Sequence, residues 1–187
     1  LKQQELSLLE QRYINGEIEL YYGDETQISE EGYVPYGWQF KDENISIKSA
    51  NGKRINCFGM ITRDNVFEYA TTYETINSNF IIEQIDIFSR QIKKHTVIVL
   101  DNAKVHHSKA IKLMRKVWEK RRLFIFYLPP YSPHLNIIER LWKEIKARWI
   151  QVTDYESHDQ LFYATKLILN EIGKDLRINF KRTINTI

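Results

Sequence analysis

Asp24, Asp101 and Glu139 are the residues of this sequence whose types and spacing could carry chemistry together. Asp24 follows the alternating aromatic and β-branched run at 17–23. Asp101 follows the apolar run at 96–100, and Glu139 stands one turn into a helical stretch behind a proline-rich loop. In α/β sheets, sites form at strand ends, where loops and helix starts converge. Two carboxylates at the ends of adjacent strands, with a third reaching in from a helix, would make an oxygen-rich cage suited to a hard cation such as Mg²⁺. Two such ions, about 3.5–4 Å apart, can activate an attacking oxygen and stabilise the departing one, which is the need of phosphodiester transfer. Each residue taken singly has a plainer reading. An aspartate at a strand end often only caps a turn, and a helical glutamate is commonly solvated. Glu139 lies about 100° from Ile138 around its helix axis, at the rim of the apolar face and not opposite it.

Lys and Arg crowd into 104–122, 140–148 and 174–182. Lys104, Lys109, Arg140, Lys143 and Lys146 are candidates to hold DNA phosphates without reading bases; the alternative is a set of solvated helix faces. None of the five histidines has zinc-site spacing. His106 and His107 lie close behind Asp101, where either is a candidate for phosphate contact or proton movement, or for a plain surface role. Tyr36, Gly37 and Trp38 sit in a turn-rich segment, where they pack over a sheet edge or stack on an unpaired base. Pro130, Tyr131, Ser132, Pro133 and Asn136 form the approach to the Glu139 helix, as structural residues or as DNA contacts. Neither a G-x-x-x-x-G-K-[ST] loop nor a G-x-G-x-x-G loop is present, so no nucleotide cofactor is expected. Ser132 has no nucleophile elbow around it.

The elements that must position these residues follow from periodicity. Leu6, Leu9 and Tyr13 predict an amphipathic helix over 1–14, ended by Asn15-Gly16. Strands are expected at 17–23, 54–62 and 66–73, with turns at Asn51-Gly52 and Asp64-Asn65. A helix follows from Asn77 or Ser78 to about Ile92. TVIVL at 96–100 and LFIFYL at 123–128 read as strands buried on both faces. Between them, a helix at 108–120 is expected to bury Ala110, Leu113, Met114, Val117 and Trp118. Three prolines, at 129, 130 and 133, stiffen the loop 129–133. Helix 135–149 should bury Ile138, Leu141, Trp142, Ile145 and Trp149, and a last helix runs from about Ser157 to Ile172. This order predicts an α/β domain: a mixed five-stranded sheet with helices on both faces. It is compatible with a ribonuclease H-like fold without singling it out.

The chain has 187 residues, 43% of them hydrophobic and 27% charged, which fits one soluble domain of ordinary size. The expected division is an N-terminal helix or linker remnant at 1–16 and a catalytic domain at 17–187. The single cysteine, Cys57, excludes an internal disulfide and a cysteine-based zinc site. No apolar run approaches a membrane span, and the polar start is unlike a signal peptide. A cytoplasmic protein is expected, neither secreted nor membrane-bound. The net charge of +3 is mild, so the clustering of basic residues says more than their sum.

Four stretches, YYGDET at 21–26, VPYGWQ at 34–39, VLDNAKVHHS at 99–108 and YLPPYSPHLNIIERLWKEIK at 127–146, resemble the DDE transposases of the IS630 group, within the IS630/Tc1/mariner superfamily. The resemblance covers roughly residues 18–150. It implies a ribonuclease H-like core, a catalytic triad of Asp24, Asp101 and Glu139, and two Mg²⁺ ions, replaceable by Mn²⁺. It also implies double-stranded DNA as partner, both transposon ends and target, with insertion at TA dinucleotides and a homodimer assembled on DNA. Relatives carry N-terminal helix-turn-helix domains, for which there is no room before Glu17. The chain therefore reads as the catalytic part of a longer protein or as a remnant. The rival expectations are a structure-selective nuclease on the same fold and a catalytically silent DNA-binding module.

Overall fold

The computed structural model describes residues 2–29 and 53–180. Helix α1 (Lys2–Ile14) leads into strand β1 (Glu19–Ser29), followed by β2 (Arg54–Ile61) and β3 (Phe67–Thr72). Helix α2 (Ser78–Ser89), strand β4 (Thr96–Leu100), helix α3 (Lys109–Lys120) and strand β5 (Leu123–Tyr127) come next. Helix α4 (Ile138–Glu144) and helix α5 (His158–Glu171) complete the order. The sheet runs β3-β2-β1-β4-β5, with β1–β2 and β2–β3 antiparallel and β1–β4 and β4–β5 parallel. This is the mixed five-stranded sheet expected from the sequence, in the ribonuclease H-like order.

Each face of the sheet carries its own core, as alternation along the strands requires. Leu20, Tyr22 and Ile28 of β1, with Val97 and Val99 of β4, pack under α1, α4 and α5 through Leu6, Ile138, Leu141, Trp142 and Leu161. Tyr21, Ile98 and Leu100 face the other way, onto Ile81 and Ile85 of α2 and Ile111 and Trp118 of α3. Asp24 falls in the β1 set that faces α4.

Three expectations need correction. Strand β1 does not stop before Asp24 but continues to Ser29, because ETQIS keeps alternating and pairs with β2 as far as Arg54. The helix expected over 135–149 is three pieces: a 3₁₀ turn at Pro133–Leu135, α4 itself, and a π turn at Ile145–Trp149 closed by the Ile150 N–H on the Ile145 carbonyl. On α3, Leu113 and Val117 are exposed, since the side chains that meet the core are Ile111 and Trp118, with Met114 packed beside them. The Asn51-Gly52 turn lies outside the described residues.

Candidate active site

The β1–β4 register ends with Tyr22 opposite Val99. Two residues further on, the same register sets Asp24 level with Asp101. Asp24 is thus in mid-strand on the β2 side, opposite Gly59, yet just past the end of the parallel ladder on the β4 side. The strand-end logic survives through β4, although β1 itself runs on.

Helix α4 brings Glu139 to this level through two contacts. At Gly59 there is no side chain; a Cβ there would stand 2.6 Å from Cη2 of Trp142 and 2.8 Å from Cε2 of Phe67. Trp142, three residues after Glu139, therefore lies directly over the backbone opposite Asp24, edge-on to Phe67 at 6.2 Å between ring centroids. At the head of the helix, buried Asn136 donates from Nδ2 to the Gly23 carbonyl at 3.1 Å, and its own carbonyl accepts the Glu139 N–H at 3.2 Å. The chain reaches Asn136 through the proline loop, where Tyr131 has φ +56° and is wholly exposed, and Ser132 Oγ donates to the Pro130 carbonyl.

Electrostatics tie the three carboxylates together. Burial pushes the Asp24 carboxyl up to about 8, and the negative charges of Glu139, Glu25 and Asp101 add to that effect; the Glu25 N–H opposes it. Lys146 lies within electrostatic reach of both Glu139 and Asp24; burial lowers its pKa while the two carboxylates oppose the shift. Among the described residues, no three His, Cys, Asp or Glu side chains are gathered closely enough to form a ready-made metal cage. Glu139 itself is exposed. The carboxylates feel one another without converging. All-oxygen donors under mutual repulsion are nevertheless the chemistry that suits a hard divalent cation.

Asp101 is held differently. Its Oδ1 accepts the Ala103 N–H at 3.0 Å and faces Nδ1 of His106 at 2.7 Å. The His106 hydrogen bond keeps its carboxyl below the usual range against the effect of partial burial. His106 is completely buried, with Nε2 on Glu25 Oε1 at 3.1 Å. Burial alone would lower its pKa, but the bonds to Asp101 and Glu25 outweigh this and push it up to about 10. The structure thus sets the His106 ring between two carboxylates and away from solvent, not on the surface. His107 instead bonds Asn102 and tilts over the Tyr127 ring at 4.2 Å. Asn136, a structural or DNA-contact candidate in sequence, is a buried clamp.

Lys104, Lys109, Arg140 and Lys143 are exposed, and Lys146 is half-buried. Tyr36, Gly37 and Trp38 lie outside the described residues. Sequence reading missed Glu25. It adjoins Asp24, but alternation sends it to the opposite face, and its partner is 81 residues away.

The family model described as DDE superfamily endonuclease matches residues 19–162, and the chain belongs to that family. A curated relative, the uncharacterized protein y4pE/y4sA of Sinorhizobium fredii, is 27% identical over 67 residues, 36% of this chain and 45% of that protein. Among solved structures, the Mos1 mariner paired-end complex with Mn superposes with a TM-score of 0.63 at 15% identity, over 90% of this chain and 54% of that one. The catalytic domain of Mos1 mariner transposase gives 0.55 at 14% identity, over 90% and 79%. The catalytic core domain of BIV integrase gives 0.52 at 13%, over 84% and 85%. These likenesses establish the fold. The chain spans about half the length of the curated relative and of the Mos1 protein in its complexes. Among the described residues no helix is long and apolar enough to cross a membrane.

Proposed function

We propose that this domain cleaves DNA at transposon ends and joins the freed 3′-hydroxyl to target DNA, using Asp24, Asp101 and Glu139 to hold divalent metal. The observation that carries this reading is placement: the β1–β4 register sets Asp24 level with Asp101, and Asn136 and Trp142 bring the Glu139 helix onto β1 beside them, close enough for the charges of Glu139 and Asp101 to act on Asp24. A strand residue, a post-strand residue and a helix residue share one field of negative charge. The neighbouring negative charges make Asp24 costlier to ionise than burial alone does, which is the arrangement a cation would relieve. Bound Mg²⁺ or Mn²⁺ would neutralise that field and polarise the phosphodiester oxygens. Family membership and the resemblance to IS630-type transposases support the same chemistry. A relative solved with Mn fits the choice of metal.

The chain's own residues supply positioning. Asn136 and Trp142 fix the height of Glu139 above β1. Lys146, drawn in beside the carboxylates, is placed to meet a phosphate that approaches them, and Lys104, Lys109, Arg140 and Lys143 to hold the flanking duplex. Tyr131, fully exposed at the loop before α4, would stack on a base at the cut. Target choice at TA dinucleotides, a homodimer on paired ends and an intracellular, nucleoid-associated setting complete the proposal by family resemblance.

The test is incubation of labelled transposon-end DNA and a TA-containing target with the protein and Mg²⁺ or Mn²⁺. Cleaved ends together with a joined product support transposition. Cleavage without joining would favour a nuclease of the same family, and DNA binding without cleavage under either ion would refute an enzymatic role.

A further inference from the structure

Asp101 uses one carboxylate oxygen twice within the protein. Oδ1 takes the Ala103 N–H and faces His106 Nδ1, while Oδ2 has no partner among the described residues and the side chain is 44% exposed. The ring that holds Oδ1 is itself fixed from four directions. Its Nε2 is on Glu25 Oε1, the residue itself is fully buried, its backbone N–H is on the Ala103 carbonyl and its own carbonyl accepts the Tyr127 hydroxyl at 2.6 Å. Both ring nitrogens face carboxylate oxygens, which only accept, so both nitrogens donate. Glu25 leaves β1 on the face opposite Asp24. One strand dipeptide therefore supplies a carboxylate to the reacting side and, through its neighbour, an anchor behind the loop that carries the other.

We propose that His106, anchored by Glu25, is a positioning residue that locks Asp101 with Oδ1 committed to the protein and Oδ2 presented to the site. The inference rests on the metal-holding role proposed above for Asp101. A carboxylate that rotates freely binds a cation at the cost of its own ordering; one already held by an N–H donor on each side of one oxygen has met that cost in folding. Partners that orient a metal ligand typically account for 10–100-fold in affinity or activity. Glu25 is then no ligand itself, in spite of its place beside Asp24.

Two substitutions separate this role from packing. In His106→Asn the amide nitrogen takes the place of Nδ1 and keeps the bond to Asp101. In His106→Gln it takes the place of Nε2, keeping the bond to Glu25 and leaving Asp101 unheld. Mn²⁺ alone is titrated into each variant of the full chain by calorimetry, with Asp101→Asn alongside and melting in EDTA as the check on folding. The expected result is an Mn²⁺ Kd raised about tenfold or more in His106→Gln and less than about threefold in His106→Asn. A packing role would favour the larger Gln, so equal effects, or the reverse order, would overturn the inference. If His106→Gln does not fold, Glu25→Ala tests the anchor at a partly exposed position, with a weakened Mn²⁺ affinity expected and a parental affinity contradictory. Loss of binding in Asp101→Asn with parental binding in His106→Gln refutes the positioning role and leaves the proposed site standing. Parental binding in Asp101→Asn removes the site, and this inference with it.

Discussion

Asn136 donates its side-chain amide to the carbonyl of Gly23, the residue before Asp24, at 3.1 Å, while its own backbone carbonyl accepts the Glu139 N–H. One buried residue thus ties the strand that carries one carboxylate to the helix that carries another. The bond forms one residue beyond the last pair of the β1–β4 ladder.

Asn136→Ala should therefore cost about 1–3 kcal/mol of stability, the usual range for removing one partner of a buried hydrogen bond. It should also depress DNA cleavage more than binding. Urea denaturation and a cleavage assay read the two effects. Unchanged cleavage in a destabilised protein would make the residue a fold element alone.

At Gly59 the close approach of Trp142 leaves no room for a methyl group. Gly59→Ala should destabilise by about 1–3 kcal/mol through overpacking. Combining it with Trp142→Phe should cost less than the sum of the single changes, because the smaller ring relieves the clash. A double-mutant cycle by chemical denaturation measures this coupling; strict additivity would place the helix further from β1 than the structure does.

Asp24 ionises near its ordinary 3.8 in the unfolded chain, but its folded value is pushed up to about 8. Between these values the folded state holds a proton that the unfolded state has lost. Stability in EDTA therefore falls as pH rises from about 4 to about 8, and is level above that. Asp24→Asn removes this penalty. The variant's Tm advantage should be small at pH 4 and largest at pH 8 and above. A difference that is constant with pH, or largest in acid, contradicts the reading.

Much of this site was legible in the sequence because its elements are periodic. TVIVL is a central strand by its unbroken apolar run, and it ends where Asp101 begins. The apolar face of α4 put Glu139 at a rim, and Trp142 is packed as that face required. What stayed hidden depends on contacts between distant segments. The burial of His106 follows from its two carboxylate partners, one of them 81 residues away, and no local pattern encodes that pairing. The exposure of Leu113 and Val117 follows from where α2 and the sheet happen to meet α3, which leaves the outer stripe uncovered. The continuation of β1 past Asp24 is present in the alternation of ETQIS, and pairing with β2 carries the strand through the aspartate.

The central claim, that Glu139 serves chemistry and not the fold, is tested most directly by Glu139→Gln. The change keeps the shape of the side chain, removes its charge and touches no core residue, since Glu139 is exposed on the first turn of α4. The measurement is cleavage of transposon-end DNA in Mg²⁺, paired with melting in EDTA. The account predicts that cleavage is abolished while the melting temperature is unchanged or slightly raised, because one source of repulsion on Asp24 has gone. Retained cleavage, or a loss of several kcal/mol of stability, would contradict it.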